Sequence, residues 1–482
     1  MAQKCRLSKM RIFVSILIIT GGFGGWYLTR TDIKQSIDKE TNLIIEKSPQ
    51  GEIQYKPGEI VIQFKGKEIN LKKHKGKEAA KEWGETYGLF LDDTLSSFDL
   101  GYFSFDGNHK KLASIRTKIL KDPNVSQAIW NYQLPLAANK IPTALNGTPL
   151  NDPAAKTDLN TQWYKQQWYI HKGTQIADAW KYISTFKKSQ EEVVIAVIDS
   201  GIDLDHPDLA ESLWDGRRCK NHEGKSMGGC KHGYDFYQDD LDPSHEYKLG
   251  TQDDHGTHVS GIIGMMHNNN VGGAGIAPNV KIMSLKVTGS DNKNQIDLIS
   301  VQKAIGFAIQ NKADIINLSF GATFESCKGE YEPWFKMMRN LYATFPGLLF
   351  AAAGNEGLEV RGSERVTFPG SYGHRSNCFA PVPNLINVGA SNETDTRAMF
   401  GEETGSNYGD VTVMAPGYWI YGPVDPQSPN RKTKKFQPIS GTSSASPLMA
   451  GIAGLLKGFW PNIQPSTLKN ILIKSGDSIE AF

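Results

Sequence analysis

Beyond residue 190 the apolar positions fall into short continuous runs that alternate with stretches of helical spacing. Runs at 193–198, 281–287, 314–320, 348–354, 385–390 and 411–415 read as strands buried on both faces. Between and after them, 256–266, 296–310, 331–344, 443–459 and 465–474 carry apolar residues at helical intervals. The alternation predicts an α/β fold class: a mainly parallel sheet flanked by helices. No internal repeat is visible.

The chain ahead of this region has a different texture. Residues 58–65 alternate like a strand, 78–87 look helical, 97–105 alternate again, 110–120 are helical and 125–133 close with a strand. This predicts a small α+β domain over 58–136, a sheet of four strands or fewer backed by two helices. Residues 32–57 are polar and read as a linker. A boundary rich in Pro, Asn, Ala and Thr, with 137–150 at its centre, precedes the larger domain at 151–482.

At the start, Lys4, Arg6, Lys9 and Arg11 precede an apolar run over 12–28 that Arg30 closes, so residues 1–31 read as an export signal. No Ala-x-Ala site follows, and the run falls slightly short of a spanning helix. We read a cleaved signal peptide and a secreted or extracytoplasmic protein; a membrane anchor retained at 12–28 is the alternative.

With 482 residues, 39% of them hydrophobic, the chain can bury a large core, and 53 Lys plus Arg against 51 Asp plus Glu leave a net charge of only +2. Nothing global points to nucleic acid. The lysines at 65, 67, 72, 73, 75 and 77 read as a solvated loop rather than a nucleic-acid patch. Outside the export segment four cysteines remain, Cys219, Cys230, Cys327 and Cys378, an even number that suits an oxidising compartment. Three pairings are possible. The short Gly-rich loop from Cys219 to Cys230 favours that pair, leaving Cys327 with Cys378; a zinc site would need a Cys-x-x-Cys or a tight Cys and His cluster, which the chain lacks.

Function then rests on particular side chains. Asp199 ends the run VVIAVI, where parallel sheets open into ligand crevices, although an Asp there is by itself a common turn residue. His255 opens an apolar helix in Asp254-His255-Gly256-Thr257-His258. A metal reading would pair His255 with His258 but lacks the Glu of His-Glu-x-x-His; a base reading needs one histidine and a carboxylate to hold it, for which Asp199 is available. Asn355, in Ala351-Ala352-Ala353-Gly354-Asn355-Glu356-Gly357, ends another buried run and carries an amide suited to an oxyanion, or to a turn. Ser443 sits in Gly441-Thr442-Ser443-Ser444-Ala445-Ser446-Pro447 at a helix start. Pro447 is expected in the first turn, and Ser443 is either a nucleophile beside unpaired amides or an ordinary cap.

Together the four stretches resemble the subtilisin-like serine protease family (subtilases, peptidase S8): IDSGI at Asp199, HGTHV at His255, AAAGNEG at Asn355 and GTSSASP at Ser443, in the family's Asp, His, Ser order. The resemblance covers about 151–479. It implies a seven-stranded parallel sheet and a secreted serine endopeptidase acting on polypeptides, with Ser443 as nucleophile, His255 as general base and acid, Asp199 as its partner and Asn355 as oxyanion donor. It also implies that Ser319, Phe320 and Gly321 bind an extended peptide, that Ala352, Ala353 and Gly354 wall the first specificity pocket, and that Thr367 forms its floor. The pocket shows no clear acidic cluster and reads as suited to moderate-sized, largely uncharged side chains, with Glu356 at its rim.

No catalytic cofactor is implied. A structural calcium is, at a loop resembling the family's calcium site, from Asp208 and Asn269 side chains and the carbonyls of His267, Val271 and Gly273, with Asp152 completing the set. The small unit at 58–136 resembles the family's propeptide, of the inhibitor I9 type and ferredoxin-like, which would make the chain a self-processing zymogen inhibited by its own propeptide. A monomer is the default. The alternative from another class is a catalytically silent binding or scaffold protein on the same fold.

Overall fold

A computed structural model describes residues 34–37, 44–48, 51–135, 167–184, 190–245, 254–289, 295–361, 365–374, 379–424 and 436–477. The export segment, the 137–150 boundary, Asp152 and Cys378 lie outside the described residues.

The buried runs assemble into one seven-stranded sheet, in the order Val413–Pro416, Leu385–Ser391, Leu348–Ala352, Ile315–Leu318, Val193–Asp199, Val280–Lys286, Gly233–Asp235. Every pairing in it is parallel. The first six strands are the predicted runs with bounds moved by a few residues. Gly233–Asp235 was not predicted, because three residues are too short to show a run.

Alternate side chains of each strand enter opposite layers, since successive Cβ atoms point to opposite faces. Ile195 and Val197 pack with the helices His255–Gly264, Thr442–Phe459 and Pro465–Lys474. Ala196 and Ile198 pack on the other side with Leu298–Gln310 and Glu332–Tyr342. That second layer also holds an aromatic cluster, with Trp334 edge-on to Phe335 (4.7 Å between ring centroids) and tilted against Phe368 (4.7 Å), and Tyr372 beside Phe368. The cluster backs a short antiparallel ladder, Ala322–Phe324 against Val366–Phe368, which returns below as part of a candidate pocket. Cys219 and Cys230 form the expected disulfide; Cys327 is also disulfide-bonded, but its expected partner Cys378 lies outside the described residues.

The small N-terminal unit runs Gly51–Phe64, His74–Thr86, Phe90–Leu95, Leu100–Ser104, His109–Ile119, Val125–Pro135. Its antiparallel sheet places Gly51–Phe64 between Leu100–Ser104 and Val125–Pro135, with Phe90–Leu95 outermost. The reading of 32–57 as a linker is corrected. Lys34–Ile37 and Ile44–Ser48 are antiparallel strands, and the latter pairs with the first half of a 14-residue strand that begins at Gly51. Ile44 and Tyr55 stand opposite each other in this pairing and both are buried, but polar neighbours hide the pattern in the sequence.

This unit is joined to the large domain through main chain and charge. Gln295–Asp297 of the large domain adds an antiparallel strand alongside Val125–Pro135. The disulfide-closed loop contributes Glu223, whose carboxylate accepts from the Ser96 N–H (2.6 Å), Ser96 Oγ (2.6 Å) and Lys77 Nζ (2.9 Å). Asp93 lies between Lys303 Nζ (2.5 Å) and His222 Nε2 (3.5 Å), and Asp297 pairs with Lys56 (2.7 Å) and accepts from Asn131 (2.9 Å).

Burial would raise all of these carboxyls, yet three of them end below the ordinary range. Hydrogen bonds from Ser96 and Lys77 hold Glu223 down, His222 and Lys303 hold Asp93 well down, and Lys56 with the Ser300 and Asn131 bonds brings Asp297 to about 2. Glu59 goes the other way, raised by its burial against the pull of Lys56. A lowered carboxyl stabilises the contact above its free pKa and loses that contribution as pH falls through the lowered value. Glu59 contributes fully below its free pKa and loses its share as pH rises through the raised value. Asp92 is raised by burial as well, but Glu59 and Asp92 take their hydrogen bonds within the small unit, from Asn131 and Ser104. The three lowered carboxyls bond across the boundary, so docking of the small unit should weaken from about pH 4 downward. Hydrogen exchange in a Ser443→Ala chain, corrected for intrinsic rates, should show residues 90–104 losing protection in acid before residues 193–199 do.

Candidate active site

The carboxyl edge of the large sheet collects the expected groups because parallel strands all end on one side. Asp199 is the last residue of its strand, and His255 is the first residue of its helix. His255 Nδ1 lies 2.6 Å from Asp199 Oδ1, with both side chains 1% exposed. Asp199 Oδ1 also accepts from the Ser200 N–H (2.8 Å), while Ser200 Oγ accepts from the Gly256 N–H (3.1 Å), so turn and helix start are tied together. His255 Nε2 is buried and has no hydrogen-bond partner among the described residues. His258 faces elsewhere, bonding the Ile420 carbonyl through Nε2 (3.0 Å), so the two histidines do not converge as a metal pair would.

Ser443 is fully buried in the first turn of the Thr442–Phe459 helix, which packs against the His255–Gly264 helix. Here one expectation fails. Pro447 is the sixth residue of the helix, not part of its first turn. A proline there has no N–H to give the carbonyl four residues back, which is that of Ser443. The Ser443 carbonyl instead accepts from Ser319 Oγ (3.0 Å), so a side chain supplies the bond that Pro447 cannot. Asn317 Nδ2 donates to Ser319 Oγ (2.8 Å), and Ser446 Oγ donates to Asn317 Oδ1 (2.8 Å), closing a buried loop of bonds around the helix start.

Asn355 is oriented by the same helix. Its Oδ1 accepts from the Thr442 N–H (2.9 Å) and Thr442 Oγ1 (2.8 Å), and Thr442 Oγ1 accepts from the Gly354 N–H (3.2 Å). A backbone N–H can only donate, so the oxygen end of the Asn355 amide is assigned and its NH2 is turned the other way.

The residues expected to form the pocket do come together. Asn407 Nδ2 reaches Ala353 O (3.0 Å), Thr367 Oγ1 (3.3 Å) and Glu356 Oε2 (2.7 Å), linking the expected wall to the expected floor. Ala352, Ala353, Gly354 and Phe320 are buried. Gly354 has φ +100°, and a Cβ at Gly321 would meet the Phe368 carbonyl at 2.4 Å, so both glycines are required by their conformation or their neighbours. The Ser319 hydroxyl is committed inward to Ser443, which leaves its main chain for the expected peptide contact.

At the calcium-like loop, Asp208 is fully buried; Asn269 Nδ2 donates to its Oδ1 (2.7 Å) and the Gly273 N–H to its Oδ2 (3.3 Å). Gln167, which sequence reasoning missed, is fully buried here too, with Oε1 accepting from the Ala274 N–H (3.0 Å). A Cβ at Gly272 would lie 2.6 Å from Asp208 Oδ2, and one at Gly273 2.6 Å from Gln167 Oε1, so two bare glycines frame converging oxygens. The His267 ring bonds the Gly275 carbonyl (2.7 Å), leaving only its main chain for the expected role. Among the described residues no group of three or more His, Cys, Asp or Glu is placed to hold a metal. Thr442, Asn317, Ser446, Asn407 and Gln167 were all missed because each acts through a partner distant in sequence.

Residues 190–479 match Peptidase_S8, the subtilase family. The chain is 31% identical over 410 residues to the thermophilic serine proteinase of Bacillus sp. (strain AK1), across 83% of this chain and 78% of that one. It is 31% identical over 263 residues to thermitase of Thermoactinomyces vulgaris, across 54% of this chain and 74% of thermitase. The crystal structure of fervidolysin from Fervidobacterium pennivorans, a keratinolytic enzyme related to subtilisin, shares the fold with a TM-score of 0.60 at 17% identity, over 92% of this chain and 60% of that one.

The Ser319 bond can be tested by stability alone. Ser319→Ala leaves the buried Ser443 carbonyl without its donor and should cost about 1–3 kcal/mol in denaturant unfolding. Ser319→Thr, which keeps the hydroxyl, should recover part of that loss.

Proposed function

Because this chain belongs to the subtilase family of serine endopeptidases, we propose that it hydrolyses polypeptides through Ser443, His255 and Asp199. The observation that carries the reading is the buried 2.6 Å bond between His255 Nδ1 and Asp199, at the sheet edge where the Ser443 helix begins. Asp199 keeps the proton on Nδ1, so Nε2 is the basic nitrogen. Nε2 takes the Ser443 hydroxyl proton as Oγ attacks the substrate carbonyl. The oxyanion is held by the Asn355 NH2 and the Ser443 N–H at the helix start. The same proton then passes to the departing amine, the C–N bond breaks, and an acyl-enzyme remains. Water, deprotonated by His255, releases the acid and restores Ser443.

The small N-terminal unit is, in this reading, a propeptide. Its strand Val125–Pro135 pairs with Gln295–Asp297, so the segment that follows leaves from the large domain's own main chain, and self-cleavage falls between 134 and 151. A large parallel sheet closes many distant contacts and folds slowly, which gives a template of this kind a physical use. The mature enzyme is secreted and monomeric. Asp208, Gln167 and Asn269 with the adjoining carbonyls would hold a structural calcium, which cross-links the loop after the His255 helix and takes no part in the reaction.

The wild-type chain should shorten on expression, while Ser443→Ala should stay full length and inactive on a denatured protein. Ser444→Ala should retain most activity. Two full-length, inactive products would overturn the hydrolytic reading, and equal loss in both serine variants would overturn the choice of nucleophile. For the calcium site, a chelator should lower the melting temperature of Ser443→Ala by on the order of 5 °C, and Asp208→Asn should remove the difference.

A further inference from the structure

Asp199 is the first of three buried charged residues that stand side by side along the carboxyl edge of the large sheet. It pairs in parallel register with Lys286, and Lys286 pairs with Asp235. In-register neighbours on parallel strands share a face, so all three side chains rise on the side of the sheet that carries the His255 helix. Main chain holds the row as well: the Val287 N–H donates to the Asp199 carbonyl (2.9 Å) and the Phe236 N–H to the Lys286 carbonyl (2.8 Å). Lys286 Nζ donates to Asp235 Oδ2 (2.7 Å), with the two side chains 2% and 0% exposed. The lysine stem runs beneath the turn after Asp199, where an added Cβ on Gly201 would lie 3.1 Å from Lys286 Cδ.

The reaction steps described above leave this lysine without a part, although burying an ammonium is costly. Its position beside Asp199 supplies one. Asp199 Oδ2 is buried with no hydrogen-bond partner among the described residues, so the charge on that oxygen is met by the field of its neighbours. Two carboxylates and one lysine give the row a single net negative charge, which an imidazolium at His255 would neutralise. Asp235 lies one strand farther from Asp199 than Lys286 does, so the cation is the nearer member of the pair. Lys286 therefore favours ionised Asp199 and opposes an imidazolium, while Asp235 offsets part of that effect. Burial raises Asp235 against the pull of Lys286, so each keeps the other charged. The other titratable groups around His255 are Asp254 and His258 on its own helix, Asp203 and His245 at the turn, and Tyr421, which burial raises, on the strand Ile420–Pro423. The first turn of the Ser443 helix brings no charge.

We propose that Lys286, held by Asp235, is a positioning residue for catalysis: its fixed charge keeps the Asp199 carboxylate ionised against His255, and the balance within the pair sets the lowest pH at which the enzyme works. The inference rests on the hydrolytic reading above. It is tested on self-processed enzyme with one uncharged peptide, by following kcat/KM from about pH 4 to about pH 9, since the acid limb of that profile reports the base of the free enzyme. Lys286→Met should move the limb to higher pH and Asp235→Asn to lower pH, each by about 0.5 unit or more. Lys286→Arg keeps the cation and should hold the limb within about 0.2 unit of wild type. A merely structural role would lower kcat/KM at every pH or move both limbs the same way. Limbs that stay in place, or that move together, overturn the proposal. Where a variant does not mature, the His255 ring signal titrated by NMR in a Ser443→Ala chain replaces the limb, with the same two opposite directions required. Labelling of Ser443 by a fluorophosphonate separates the two ideas. Labelled, active wild-type enzyme whose variants share its limb overturns the role of Lys286 alone, whereas no labelling and no cleavage overturns it together with the hydrolytic reading.

Discussion

The buried bond between His255 and Asp199 is the constraint around which the large domain is arranged. Two ionisable side chains at 1% exposure can be held together only if their backbones arrive at fixed positions. Asp199 arrives on the central region of a parallel sheet, and His255 on a helix whose start is bonded to the turn after Asp199. The Ser443 helix lies against the same helix and against six of the sheet strands, so its first turn cannot move without disturbing the core. The Ser319 and Thr442 hydroxyls add the last increments, one satisfying the carbonyl that Pro447 leaves open, the other setting the sense of the Asn355 amide. Small polar side chains do this work because buried backbone groups need partners and no regular element supplies them there.

A second theme is charge across the boundary between the two units. The contacts combine an added strand, which gives register, with carboxylates gripped by lysine, histidine and hydroxyl donors, which give orientation. The loop closed by Cys219 and Cys230 presents His222 and Glu223 toward the small unit, where His222 Nε2 lies 3.1 Å from the Thr94 carbonyl. An insertion that would otherwise be a floppy excursion becomes a docking surface, because the disulfide limits the conformations the loop must give up.

Much of this was legible in the chain. Strands buried on both faces appear as unbroken apolar runs, and helices against them keep their 3.6-residue spacing, so six of seven strands and five flanking helices are read with shifts of a few residues at the ends. The positions of Asp199, His255, Asn355 and Ser443 were also legible, since each stands at or just past the end of a buried strand or at the start of a helix. The strands at 34–37 and 44–48 were not, because their stability comes from pairing with Gly51–Phe64 rather than from a pattern of their own.

What the sequence determined by itself is therefore local: which segments are strands or helices, and which residue types stand at their ends. Tertiary structure decided the partnerships. Nothing in the sequence said that the Ser319 hydroxyl would meet the Ser443 carbonyl, and Gln167 carried no signal until it was brought beside Asp208 and the Gly272–Gly273 turn. Glu356 read as a rim residue until Asn407 and Thr323, 51 and 33 positions away, drew it under Gly354. Periodicity records which way a side chain faces, in or out; it does not record which side chain of another element will meet it, because that depends on how the layers pack.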